Sequence, residues 1–207
     1  MLDKEIILVG YSGHGYVVSD AVKSCDINLK YYSEVKELSK NPFQLVYIGF
    51  EKDLSFKGWN NKYSFILGLG NNKLRLEAFN LIKSKDLVIL NVIHQSASVS
   101  KDITLGFGNF IARNVSINPL VVIGDCCIIN TGSIIEHECT IETGAHIAPG
   151  SVLAGNVIIG ENSFIGANSV IKEGVRIGRN VIVGAGTVVL KDIQDGKKIV
   201  GNPSREI

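Results

Sequence analysis

Four histidines, His14, His94, His137 and His146, carry the side chains best suited to moving a proton near neutral pH. His137 stands in Ile135-Glu136-His137-Glu138, where the adjacent carboxylates could hold the imidazole and raise its basicity. Such a group can act as a general base, taking a proton from an attacking amine or hydroxyl; a plain surface histidine is the alternative. His14 lies in a glycine-rich run, Gly10-Tyr11-Ser12-Gly13-His14-Gly15, whose main-chain amides could cradle a phosphate. The glycine order is G-x-x-G-x-G and not the dinucleotide G-x-G-x-x-G, so a structural tight turn stands beside the phosphate reading, and redox chemistry is not indicated. His14 could equally cap the start of a helix.

The elements that must position these groups follow from a six-residue period. Stepping from Val99 through Leu105, Ile111 and onward to Val189 meets an aliphatic residue every time, sixteen in all. Four residues after each comes a second restricted slot filled mostly by small residues, among them Cys127, Ser133, Ala145 and Ser163. Three residues after each comes a turn former such as Gly132, Gly144, Asn156 or Asn168, types that tolerate positive φ. Two inward positions and one corner per hexad describe a short strand and a turn. Three hexads close a triangular coil, and stacked coils make a parallel β-solenoid. A helix is excluded because a period of six does not keep one face of a 3.6-residue turn. Each buried aliphatic contributes roughly 1.5 to 3 kcal/mol, enough to offset ordering entropy once coils stack on one another.

In this frame His137 sits two residues after Ile135 and His146 five after Ile141, so both face outward from the coil. Nine residues separate them, one and a half hexads, which puts them on different walls of one subunit. If both serve catalysis, the site lies between subunits, and a cyclic homotrimer with three equivalent clefts is expected.

The first ninety-two residues form a separate substrate-binding unit of Rossmann-like α/β type, and residues 93–207 form the solenoid and a tail. Glu5–Val9 reads as a strand and Tyr16–Ser24 as a helix. Leu29–Ser33 is a second strand, and Glu34 follows it as a possible acceptor for ribose or sugar hydroxyls, or as a solvated surface charge. Leu45–Ile48 and Phe65–Leu69 are further strands, then Gly70-Asn71-Asn72 opens a helix that contains Arg75 and runs to Ser84. Leu87–Ile93 is the last strand before the solenoid.

Composition restricts the function classes. The 207 residues are 45% hydrophobic and 20% charged, as in globular proteins, and 21 Lys and Arg against 20 Asp and Glu leave a formal charge of +1. Such a balance gives no broad field for nucleic acid or for an anionic membrane. The apolar stretch after Met1 is too short for a signal-peptide core, and no run reaches membrane-spanning length, so a cytoplasmic protein is expected. Four cysteines without a CxxC pair read as free, buried small residues.

The stretch from Asn130 through Ile135-Glu136-His137-Glu138-Cys139, followed by His146 and Ala154-Gly155-Asn156-Val157, resembles the active-site segment of a hexapeptide-repeat acetyltransferase family. Its members are the sialic acid O-acetyltransferases and the bacillosamine-pathway nucleotide-amino-sugar N-acetyltransferases. Ser12-Gly13-His14-Gly15, Gly70-Asn71-Asn72 with Arg75, and the tail Gly201-Asn202-Pro203-Ser204-Arg205 resemble the same group in the same order. The resemblance implies a left-handed coil and acetyl-CoA as acetyl donor, with no metal. It implies that His137 is the general base and Glu138 orients it. His146, Gly155, Ala167 and Ala185 line the acetyl-CoA cleft, with the Gly155 amide facing the thioester oxyanion. Asn130 helps to position the sugar, and Ser12, Gly13, His14, Ser33, Glu34 and Gly70 hold the nucleotide. Ser33-Glu34 departs from the paired acids frequent in the amino-sugar branch. The expected reaction is N-acetylation of a UDP- or GDP-linked 4-amino-4,6-dideoxyhexose. Sialic acid O-acetylation is the alternative, and a non-catalytic trimeric scaffold is the alternative of another class. A zinc solenoid needs three histidines at one interface, and only two lie on the coils.

Overall fold

The computed structural model describes residues 4–25 and 27–207; Met1, from which the amino-terminal reading starts, lies outside them. The chain opens with β1 (Glu5–Val9), α1 (Gly13–Val22), β2 (Leu29–Ser33), β3 (Val46–Tyr47), β4 (Tyr63–Leu67) and α2 (Asn72–Lys83). The four strands pair in parallel in the order β3-β2-β1-β4. Ile6 to Val9 and Phe65 to Leu67 are buried throughout, as central parallel strands covered on both faces require. Strand order reverses between β2-β1 and β4, which leaves a crevice at the carboxyl ends of these strands.

Two boundaries differ from the expectation. Helix α1 starts at Gly13 and not at Tyr16, because Gly10 turns the chain at φ +86° and the Tyr16 amide already donates to the Ser12 carbonyl. The expected strand Leu87–Ile93 is not continuous. Ile89 only bridges to Phe65, and Val92–Ile93 leaves the sheet to pair with Phe110–Ile111 as the first rung of the solenoid.

From there the chain winds through two-residue strands that each pair, in parallel, with the strand eighteen residues on, as in Ile135↔Leu153 and Leu153↔Ile171. They stack into three walls. The first holds Val92–Ile93, Phe110–Ile111, Ile128–Ile129, His146–Ile147 and their successors. The second runs from Ser98–Val99 through Ile134–Ile135 to Val188–Val189, and the third from Thr104–Leu105 to Arg176–Ile177. From Ile111 to Val189 every member of the aliphatic column is at most 2% exposed. Corners turn at positive φ, at +67° for Gly132 and +57° for Asn156. The small inward slot has a hydrogen-bonding reason as well as a steric one. Ser151, Ser163 and Ser169 donate to the carbonyls of Gly166, Gly178 and Gly184 on the next coil at 2.7–2.9 Å. The last coil is shortened, Ile182 pairing with Lys198, and Arg205–Glu206 folds back antiparallel on Lys198–Val200.

Arg75 fastens α2 to the coils. It is 1% exposed, and its guanidinium donates to the carbonyls of Cys126 (2.7 Å), Gly144 (2.8 Å), Leu69 and Gly70 (both 3.2 Å), and to Asn72 Oδ1 (3.0 Å). Asn72 adds bonds to the carbonyls of Asn162 and Ser163.

Candidate active site

His137 follows the second-wall strand Ile134–Ile135 and stands on the edge between the second and third walls. Its Nδ1 lies 2.9 Å from Glu138 Oε2, and both side chains are more than half exposed. Glu138 occupies a corner at φ +62°, a place held at most other corners by Gly or Asn and at two by Leu120 and Cys126. From this corner its carboxylate reaches back to the imidazole of the preceding residue. With Nδ1 donating to Glu138, Nε2 keeps its lone pair for an incoming proton. Glu136 does not share this task as the flanking-carboxylate reading allowed; it accepts from Asn118 Nδ2 at 2.7 Å, one coil away.

The face of the imidazole lies against Gly155 on the next coil. A Cβ at 155 would stand 2.6 Å from His137 Cε1 and 2.7 Å from Nε2, so only glycine leaves the ring in place. Among the described residues no acceptor takes the amide hydrogens of Gly155, Ala167 or Ala185. All three sit two places after a column aliphatic, at the one point of the hexad where the amide points out of the coil. The His137 ring itself occupies the space over Gly155. Gly155 shares the His137 edge, whereas Ala167 and Ala185 stand on the edge between the first and second walls.

His146 is on the first wall and faces outward from the coil as expected, but it is not exposed. The amino-terminal unit covers it, leaving 7% of its surface accessible. It is packed edge-on to Phe164, and Asn130 Nδ2 lies 3.2 Å from its Nε2. His14 approaches from the first turn of α1, ring centroid 6.3 Å from that of His146, with Phe110 edge-on to it. Burial, reinforced by the Arg75 charge, pushes the pKa of His14 down to about 4 and that of His146 to about 3, so both are neutral at physiological pH. His14 Nε2 and His146 Nδ1 are buried without a hydrogen-bond partner in the described chain. His14 therefore does not cap the helix.

The remaining residues expected to hold a nucleotide cluster at the crevice. Gly70 packs against His14, where a Cβ would come within 3.2 Å of the His14 Cβ, and Gly13 borders open space at the start of α1. Ser12 is the N-cap, but its hydroxyl makes no capping bond. Glu34 accepts the amides of Tyr11 (3.2 Å) and Val35 (3.1 Å), so its carboxylate braces the glycine loop. Ser33, expected to hold the nucleotide, is fully buried, and its hydroxyl donates to Glu51 at 2.6 Å. Glu51, Asn118 and the fastening role of Arg75 escaped the sequence reading, because their partners are distant in the chain and belong to no motif. The structure thus gathers Ser12, Gly13, His14, Gly70, Asn130 and His146 at one junction. It leaves His137, Glu138 and Gly155 on another edge.

Residues 5–82 match the model of the PglD N-terminal domain. Residues 120–155 match that of the bacterial transferase hexapeptide (six repeats), and residues 156–191 that of the hexapeptide repeat of succinyl-transferase. The structure of PerB from Caulobacter crescentus, in complex with CoA and GDP-perosamine, is 31% identical over 98% of this chain and 97% of that one, with a TM-score of 0.91. The chain belongs to the hexapeptide-repeat sugar acetyltransferase family. A second relative, the acetyltransferase domain of PglB from Neisseria gonorrhoeae in complex with acetyl coenzyme A, is 26% identical over 99% of this chain and all of that one, with a TM-score of 0.93. WeeI from Acinetobacter baumannii, 22% identical over 99% of this chain and all of that one with a TM-score of 0.78, shares the fold. The family resemblance read from the motifs holds, and so does the left-handed parallel β-helix with an amino-terminal α/β unit. Among the described residues no helix is long and apolar enough to cross a membrane, and no three His, Cys, Asp or Glu side chains gather as a metal site.

Proposed function

We propose that this acyltransferase moves the acetyl group of acetyl-CoA onto the amine of a nucleotide-linked 4-amino-4,6-dideoxyhexose, with His137 as general base in a cleft between two subunits. The observation that carries this reading is the His137–Glu138 pair, an imidazole held through Nδ1 by a carboxylate and laid directly on Gly155, where any side chain would displace the ring. The thioester, when bound, supplies an acyl carbon already activated for attack. His137 Nε2 accepts the proton that the amine loses, and Glu138 stabilises the imidazolium through Nδ1. The Gly155 amide, free of any acceptor, faces the position where negative charge develops.

The division between two edges supports a shared site. Pairing the His137 edge of one subunit with the neighbour's first-to-second-wall edge would add Ala167 and Ala185 to one side of the acetyl-CoA cleft. It would also bring Asn130, His146 and His14 to the sugar. The orphaned nitrogens of His14 and His146 then gain polar partners, and the open start of α1 offers its amides to the diphosphate. PerB holds GDP-perosamine and CoA together, in keeping with an amino-sugar acceptor.

Purified protein is tested with acetyl-CoA and GDP- or UDP-linked 4-amino-4,6-dideoxyhexoses, with free sialic acid as a hydroxyl acceptor. Acetylation of an amino sugar is expected, with sialic acid untouched. His137→Ala should lower kcat by a factor on the order of 10² to 10⁴ while acetyl-CoA affinity stays within twofold. Turnover unchanged in that variant removes His137 from the mechanism.

A further inference from the structure

Beside the glycine loop, a second acid occupies the crevice. After β3, Gly49 at φ +111° turns the chain, and the tight turn from Phe50 to Asp53 carries Glu51 back over the end of β2. There its Oε2 accepts the Ser33 hydroxyl at 2.6 Å, while its own amide donates to the same hydroxyl oxygen at 3.0 Å. Glu51 is 6% exposed. Among the described residues no other donor reaches its carboxylate, and the adjacent Lys52 is turned away to Glu77 at 2.8 Å. Its Oε1 takes no donor within the described chain and is not sealed from solvent, so it stays open at the pocket for a ligand to complete. The pocket it lines is walled by Val35 and Leu74, 67% and 47% exposed, with Phe50 and Leu69 behind them. Exposed apolar walls around a buried acid, at the carboxyl ends of parallel strands, match a flat ring whose edge or sugar carries hydrogen-bond donors.

We infer that Glu51, oriented by Ser33, is a substrate-binding residue that accepts hydrogen bonds from the nucleoside of the sugar nucleotide, an inference that rests on the nucleotide-sugar reading above. Glu34 cannot fill this role as freely, since both of its oxygens already receive main-chain amides. Two groups of a nucleoside can donate. Ribose offers hydroxyls; guanine offers a neighbouring pair of N–H groups, whereas the single uracil N–H is flanked by carbonyls that repel a carboxylate.

Isothermal titration calorimetry of the full chain with GDP, UDP, 2′-deoxy-GDP and inorganic pyrophosphate separates the cases. Glu51→Gln keeps the shape and removes the charge, and is expected to weaken nucleotide binding at least tenfold. Pyrophosphate and CoA affinity should not change, and Tm should not fall. A loss confined to the two guanine nucleotides assigns the base. A loss on GDP and UDP that spares 2′-deoxy-GDP assigns the 2′-hydroxyl, and an equal loss on all three assigns the 3′-hydroxyl. Ser33→Ala should reproduce a smaller part of the loss. Nucleotide affinity equal in wild type and Glu51→Gln overturns the assignment while leaving the nucleotide-sugar reading intact. A wild-type chain that binds none of the nucleotides brings down that reading and this one together. If Glu51→Gln and Glu51→Asp both melt early and lose CoA binding, Glu51 is structural and the inference falls.

Discussion

The chain builds two histidine environments in opposite ways. His137 is left at the surface and bonded to one carboxylate, while His14 and His146 are buried and kept neutral. The second arrangement has a consequence for stability. The folded-state pKa values of His14 and His146, about 4 and about 3, lie below the ordinary 6.5, so acidification protonates the unfolded chain first. Their contribution is fully present above pH 6.5 and is lost as pH falls from there toward 4, at about 1.4 kcal/mol per pH unit for each histidine. Urea midpoints measured between pH 7.5 and 4.5 should therefore drop steeply, and His14→Phe should flatten the drop by about one proton's share. An unaltered slope in that variant would mean that His14 is charged or solvated. The pairing of His137 with a neighbouring carboxylate was legible because Glu136-His137-Glu138 lies within one hexad. The burial of His146 was not, since its cover comes from a helix more than sixty residues earlier.

At the scale of elements, the solenoid was readable almost residue by residue because each hexad repeats the same demand for an aliphatic, a small residue and a corner. The junction with α2 was not, because Arg75 is satisfied by main-chain carbonyls, which leave no trace in the sequence. Its expected effect is large. Arg75→Met keeps the apolar length but strands the buried carbonyls of Cys126 and Gly144, a loss of about 3 kcal/mol. Trp59, the only tryptophan, packs on Phe56 and Phe65 in the amino-terminal unit and reports on it alone. In wild type, Trp59 fluorescence and far-ultraviolet circular dichroism should unfold together. In Arg75→Met the fluorescence transition should come first. Coincident transitions at an unchanged midpoint would mean that α2 is held by its apolar contacts and that the guanidinium adds nothing.

For the whole molecule, the second wall is the surface on which the proposed assembly is expected to form. Its outward positions Ile134, Val152, Val170 and Val188 pair in register down one face and form an apolar stripe, Ile134 and Val170 being 38% and 40% exposed. This wall lies between the His137–Gly155 edge and the Ala167–Ala185 edge. Covering it with a neighbour therefore both buries the stripe and joins the two halves of the proposed site. Sedimentation should give a particle of three 22.4 kDa chains, and Val152→Glu combined with Val170→Glu should give inactive monomers. A sharper test uses subunits that are each inactive for a different reason. His137→Ala lacks the base and Asn130→Ala lacks the sugar contact, so co-refolding them at equal ratio leaves every chain with one defect. A site built within one chain would stay dead in all assemblies. A site that takes His137 from one subunit and Asn130 from the next would be intact in about a quarter of the interfaces, because each partner is the competent one half of the time. Recovery of about a quarter of wild-type activity is the expected result, and its absence, with both variants trimeric, would place the whole reaction on a single chain.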